Sequence, residues 1–143
     1  MRVQRNEDPV QVAVGFADDG CGSGVAYATV KGTGRGSPLR VGFAVERAAT
    51  GQGREVGYAA LRAVAAAIRE RTAGAVLFLV ADEALAMDLN ERRPLPGVLT
   101  MPYVALRCAL NRFDDASVAY SRGAEISDLS ARAQAEVFLH VAA

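Results

Sequence analysis

The chain has 143 residues, 51% of them apolar, which is enough material for one domain with one hydrophobic core. Lysine plus arginine and aspartate plus glutamate each total 16, so the formal net charge is zero. That balance counts against a protein that coats nucleic acid by bulk charge, while leaving room for a local basic face. No apolar run reaches the roughly 18–20 residues a membrane span needs. Residues 1–9 hold no apolar signal core and read as an N-terminal extension to a domain over 10–143. Cys21 and Cys108 lie far apart with no metal-type spacing, so they read as reduced thiols in a cytoplasmic protein.

Val10 to Ala17 is valine-rich and predicts a buried strand. The Gly-rich stretch Asp18 to Gly24 predicts a turn, and Val25 to Val30 the return arm of a hairpin. A second Gly-rich turn, Lys31 to Pro38, leads into a third strand over Arg40–Glu46. After the loop Thr50–Gly53 the pattern changes. From Arg54 the chain is alanine-rich, with Val56, Ala60, Ala63, Val64 and Ile68 on one stripe, and Gly74 marks a stop. Ala75 to Val80 is uninterrupted and apolar, the pattern of a parallel strand buried on both faces. Asp82 to Leu89 predicts a short helix, Glu91 to Gly97 a loop, and Pro102 to Phe113 a long helix. Asp114-Asp115 reads as a turn, Ser117 to Tyr120 as a fifth strand, and Ser127 as the cap of a last helix reaching about Val141. Leaving the short helix aside, the order β-β-β-α-β-α-β-α implies an α/β fold: a mixed five-stranded sheet with helices packed on it.

Acidic residues stand at the ends of these elements. Asp18, followed by Asp19, closes the first strand, and Glu55 opens the first helix. Asp82 follows the buried fourth strand, and Asp128 opens the last helix. With strands one and four side by side, Asp18 and Asp82 would emerge together at one sheet edge, with both helix starts leaning over it. Crowded carboxylates raise one another's pKa unless a cation neutralises them, and hard oxygen donors suit Mg²⁺ or Mn²⁺. Two such ions can clamp a phosphodiester, one activating water and the other steadying the leaving oxygen. Each acid also has a plain structural role open to it: Asp18-Asp19-Gly20 a turn, Glu55 a helix-dipole partner, Asp82 and Asp128 caps.

In this order the four acids resemble type 1 ribonuclease H. Phe16-Ala17-Asp18-Asp19-Gly20 looks like that family's aromatic-Thr-Asp-Gly-Ser opening, and Arg54-Glu55-Val56 like the start of its Glu-bearing helix. Leu79-Val80-Ala81-Asp82 looks like its strand ending in Asp-Ser, and Ser127-Asp128-Leu129-Ser130-Ala131-Arg132-Ala133 like its Ala-Asp-x-Leu-Ala-Arg helix start. The resemblance spans about residues 10 to 137. It implies a ribonuclease H-like fold and a phosphodiester hydrolase that cleaves the RNA strand of RNA–DNA hybrids. It also implies two Mg²⁺ or Mn²⁺ ions held by Asp18, Glu55, Asp82 and Asp128. Asp19 competes with Asp18 as first ligand: Asp18 fits the preceding Phe-Ala better, Asp19 the following Gly.

The chain departs from the family in three places. Glu83 stands where the family has Ser, the stretch Ser121–Ile126 lacks the His many members carry, and Arg92-Arg93 is the nearest match to a basic handle. The chain's one His, His140, lies near the C-terminus. These departures keep a second reading open: a ribonuclease H-like module with a weakened site that binds nucleic acid or a protein partner. A third reading makes the acids caps in a structural subunit of a larger assembly.

Overall fold

A computed structural model describes residues 9–31, 38–45, 53–91 and 94–142, with the side chains of 140–142 left aside. Residues 1–8, the body of the second Gly-rich turn, Glu46, Thr50, Arg92-Arg93 and the His140 side chain therefore lie outside the described residues. The elements are β1 (Val10–Asp18), β2 (Ser23–Val30), β3 (Leu39–Ala44), α1 (Arg54–Arg69), β4 (Ala75–Val80), α2 (Glu83–Asn90), α3 (Thr100–Leu110), β5 (Asp115–Tyr120) and α4 (Ala124–Ala142). A single 3₁₀ turn over Gly97–Leu99 feeds α3.

The strands form one sheet in the order β3-β2-β1-β4-β5. β1, β2 and β3 make the antiparallel meander, whereas β4 and β5 run parallel to β1. This is the mixed five-stranded sheet the element pattern implied, with strands one and four adjacent. Val14 pairs with Val80, the last residue of β4, so Asp18 at the end of β1 and Asp82 just past β4 leave the sheet at the same edge.

Side chains alternate across a strand, and the two faces carry different layers. Val12 and Val14, with Val76, Phe78 and Val80, pack under α1, α2 and α3 through Tyr58, Leu61, Val64, Leu85, Leu106 and Leu110. On the other face Ala13, Val25 and Tyr27 meet Ile126, Leu129 and Ala133 of α4. Gly15 makes this second contact close: a β-carbon there would stand 2.3 Å from the Ser130 nitrogen and 2.6 Å from the Leu129 carbonyl carbon. The expectation that β4 is buried on both faces is corrected. Val76, Phe78 and Val80 are buried, but Leu77 and Leu79 are only partly so, because α4 lies over β1 and β2.

Several boundaries also move. α4 begins at Ala124, ahead of Ser127, because the Gly123 carbonyl already accepts from the amides of Ile126 (3.1 Å) and Ser127 (3.2 Å). Ser127 is thus an exposed helical residue and not the cap, and Asp128 falls in the second turn of α4, not its opening. α3 starts at Thr100, since the 3₁₀ turn runs straight into it, and Pro102 sits in the first turn, where a missing N–H costs nothing. Asp115 belongs to β5 and not to the turn before it. No helix among the described residues is long and apolar enough to cross a membrane.

Candidate active site

Two charged side chains are buried among the described residues, Glu55 at 4% exposure and Asp88 at 3%. Glu55 is the second residue of α1, and its Oε2 atom is buried with no hydrogen-bond partner. A carboxylate oxygen withdrawn from water without a donor is costly, and a cation is one way to satisfy it.

Asp82 meets the same first turn of α1, at Gly57. Its Oδ1 accepts from the Leu85 amide at 3.0 Å, so it caps α2 as one of its two anticipated roles required. Its Oδ2 faces the first turn of α1: a β-carbon on Gly57 would stand 2.8 Å from it, and 3.6 Å from the Phe16 ring of β1. Gly57 thus leaves room for the Asp82 carboxylate against the helix that carries Glu55. Asp18, half-buried, lies on the same strand face as Phe16, and its Oδ2 accepts from the Gly20 amide at 3.1 Å. Asp19 instead builds the hairpin turn, its Oδ1 accepting from Cys21 (2.7 Å) and Ser23 (3.1 Å). Asp128 is exposed on α4, which covers the opposite face of the sheet from α1.

The fold therefore brings Asp82 to the first turn of α1, the turn that carries Glu55, and sets Asp18 on the same side of the sheet. It does not draw a full ligand set together: no three His, Cys, Asp or Glu side chains are grouped to hold a metal ion among the described residues. The donor chemistry is nevertheless that of a hard divalent cation. It consists of carboxylate oxygens alone, one of them buried and unsatisfied.

Sequence reasoning missed Asp88. It lies on α2 and receives the Tyr58 hydroxyl at 2.7 Å and an ion pair from Arg54, both from the first turns of α1. Burial, then the Asp88 carboxylate, pushes the Tyr58 hydroxyl above its ordinary pKa. The available signal was an acid between Leu85 and Leu89, two core positions of the same helix. On the other face Arg40 grips both Glu136 oxygens (2.7 and 2.6 Å), and Tyr27 donates to the same carboxylate, bracing α4 against β2 and β3. At the edge near Asp82, the Arg122 guanidinium lies 5.8 Å from the Tyr120 ring centroid and donates to its hydroxyl.

RNase H1 from the halophilic archaeon Halobacterium salinarum NRC-1 superposes with a TM-score of 0.64 over 90% of this chain and 98% of its own, at 19% identity. The fold is ribonuclease H-like. It resembles type 1 ribonuclease H over most of the chain. The N-terminal RNase H domain of rv2228c from Mycobacterium tuberculosis matches at TM-score 0.59 and 16% identity, covering 92% of this chain and 99% of that one. LC11-RNase H1, solved in complex with an RNA/DNA hybrid, matches at 0.57 and 10%, covering 90% and 99%. At such identities the likeness is one of ribonuclease H fold. No family model and no curated protein sequence matches the chain.

Proposed function

We propose that this chain is a divalent-metal-dependent nuclease that cleaves the RNA strand of RNA–DNA hybrids, with Asp18, Glu55, Asp82 and Asp128 as its metal ligands. One observation carries the reading: the buried, unpartnered Oε2 of Glu55, two residues before the point where Asp82 rests on Gly57. A structural acid in a first helical turn ordinarily turns its oxygens to water or a backbone amide, and the Oε2 of this one meets neither. When bound, Mg²⁺ or Mn²⁺, two ions in the full reading, would supply the Lewis acidity for attack of water on the phosphodiester. Asp18 and Asp82 leave neighbouring strands at one edge, so both can face the same phosphate. The substrate class rests on the fold's likeness to proteins such as LC11-RNase H1, which binds an RNA/DNA hybrid. The RNA 2′-OH is the group that would distinguish the strand to be cut.

The test is cleavage of a labelled RNA–DNA hybrid in Mg²⁺ and then Mn²⁺, wild type beside Asp82→Asn. Asparagine still accepts from the Leu85 amide, so α2 keeps its cap while the charge is lost. Metal-dependent cutting of the RNA strand that disappears in Asp82→Asn is the expected result. The stretch Ser121–Ile126, which carries Ser, Arg and Glu but no His, favours a second reading, a binding module on the same fold. Folded wild type that binds hybrid but cuts nothing in either metal would establish that reading instead.

A further inference from the structure

We propose that Asp88, with Arg54 and Tyr58, is a positioning device that sets the distance between Glu55 and Asp82; this rests on the metal-site reading above. The three residues join two short pieces of helix. Arg54 and Tyr58 are one turn apart on α1 and flank Glu55 and Gly57. Asp88 lies on α2, the helix that Asp82 caps. The Arg54–Asp88 ion pair and the 2.7 Å bond from the Tyr58 hydroxyl therefore tie the helix that carries one acid to the helix that begins at the other.

Energetics favour a geometric role over a stabilising one. Asp88 is 3% exposed and Tyr58 1%. Burying the Asp88 charge offsets much of what its pairing with Arg54, 30% exposed, returns, and an apolar trio of the same volume often holds such helices together as well. What an apolar contact lacks is direction. Two donors converging on one carboxylate fix the rotation of α2 about its own axis, and so the orientation of Asp82 at its start. α2 has only 8 residues and packs through Leu85, Ala86 and Leu89, apolar contacts without direction; the Asn90–Val118 and Arg107–Leu89 hydrogen bonds hold its C-terminal end, and the Asp88 tie joins it to α1. Groups that orient ligands from behind typically contribute 10- to 100-fold in metal affinity.

The test is Mn²⁺ binding, read from the free-ion electron paramagnetic resonance signal, with no substrate present. Wild type is compared with Asp88→Asn, Tyr58→Phe and Phe113→Leu. Phe113 packs edge-on to Phe78 under α3, just before β5 enters the sheet at the edge away from Asp82, and serves as a control for lost stability. Asp88→Asn should weaken Mn²⁺ binding about tenfold or more. Tyr58→Phe should weaken it less but in the same direction, and Phe113→Leu should leave it unchanged. Wild-type affinity in Asp88→Asn overturns the inference alone. Should Asp88→Asn fail to fold, wild-type affinity in Tyr58→Phe overturns it just as well. Equal weakening in Phe113→Leu also overturns it, by reducing the effect to stability. No Mn²⁺ binding by folded wild type sinks the metal-site reading and this inference together.

Discussion

The Oδ2 atom of Asp82 occupies the space that a side chain at position 57 would fill, 2.8 Å from where a β-carbon on Gly57 would stand. Alanine at that position has two opposed effects. In a helix interior it is favoured over glycine by about 1 kcal/mol. It also drives into a short carboxylate already tethered to the Leu85 amide, which has little freedom to retreat. We expect Gly57→Ala to change stability by no more than about 1 kcal/mol while lowering metal-dependent hybrid cleavage at least tenfold. Urea denaturation and cleavage rates measured on the same preparation check this. Full activity in Gly57→Ala would mean that the Asp82 position is not critical.

The double duty of Asp82 can be separated by two substitutions. Asparagine keeps the cap and removes the charge; alanine removes both. Asp82→Ala should cost about 1 kcal/mol of stability and Asp82→Asn a few tenths. Both should abolish cleavage. Equal activity loss with unequal unfolding midpoints separates ligand from cap. Activity that tracks stability across the pair would make Asp82 a cap only.

Gly15 presents the opposite case to Gly57, because the obstacle is backbone. The Ser130 nitrogen and the Leu129 carbonyl carbon, 2.3 and 2.6 Å from a β-carbon at position 15, belong to α4 and move only with the helix. Gly15→Ala should therefore cost about 3 kcal/mol or more. It should lift α4 from β1, so the Tyr27 hydroxyl should lose Glu136. A lowered urea midpoint with an unchanged slope is the expected result, and a midpoint within error of wild type would contradict the packing described.

Much of this is legible in the sequence. The valine-rich runs and the Gly-rich turn between them fix the β1–β2 hairpin, and the six apolar residues Ala75 to Val80 delimit β4 to the residue. Patterns of this kind are local, and burial enforces them. The α4 start was not legible, since Ser127 offers a better cap than Gly123 in isolation, and only the backbone carbonyl of Gly123 decides the matter. Asp19 was hard to tell from Asp18 because both are turn formers; strand parity, a property of the paired sheet, gives them different neighbours. Asp88 went unread because its partners lie 34 and 30 positions earlier. No periodicity carries such a pairing, which exists only once α1 and α2 pack on the same sheet face.

The same cluster makes the protein's alkaline stability testable. The Tyr58 hydroxyl is held above its ordinary pKa of 10.0 by burial first and by the hydrogen bond to Asp88 second. An unfolded tyrosine releases its proton near pH ~10, while the folded one retains it to higher pH. Above about pH 10 the unfolded state therefore binds fewer protons than the folded state, and unfolding becomes easier as pH rises. Tyr58's contribution is fully present below about pH 10 and is lost progressively above it, amounting to about 1.4 kcal/mol by pH ~11. Tyr58→Phe should be less stable at neutral pH by about 1.5–3 kcal/mol, the worth of a hydrogen bond to a charged group. It should also lose stability less steeply between pH ~9.5 and ~11, so the two curves converge. Urea midpoints across that range decide it. Parallel curves would show that the Tyr58 proton is not held by Asp88, and with it the tie between α1 and α2 would lose its main support.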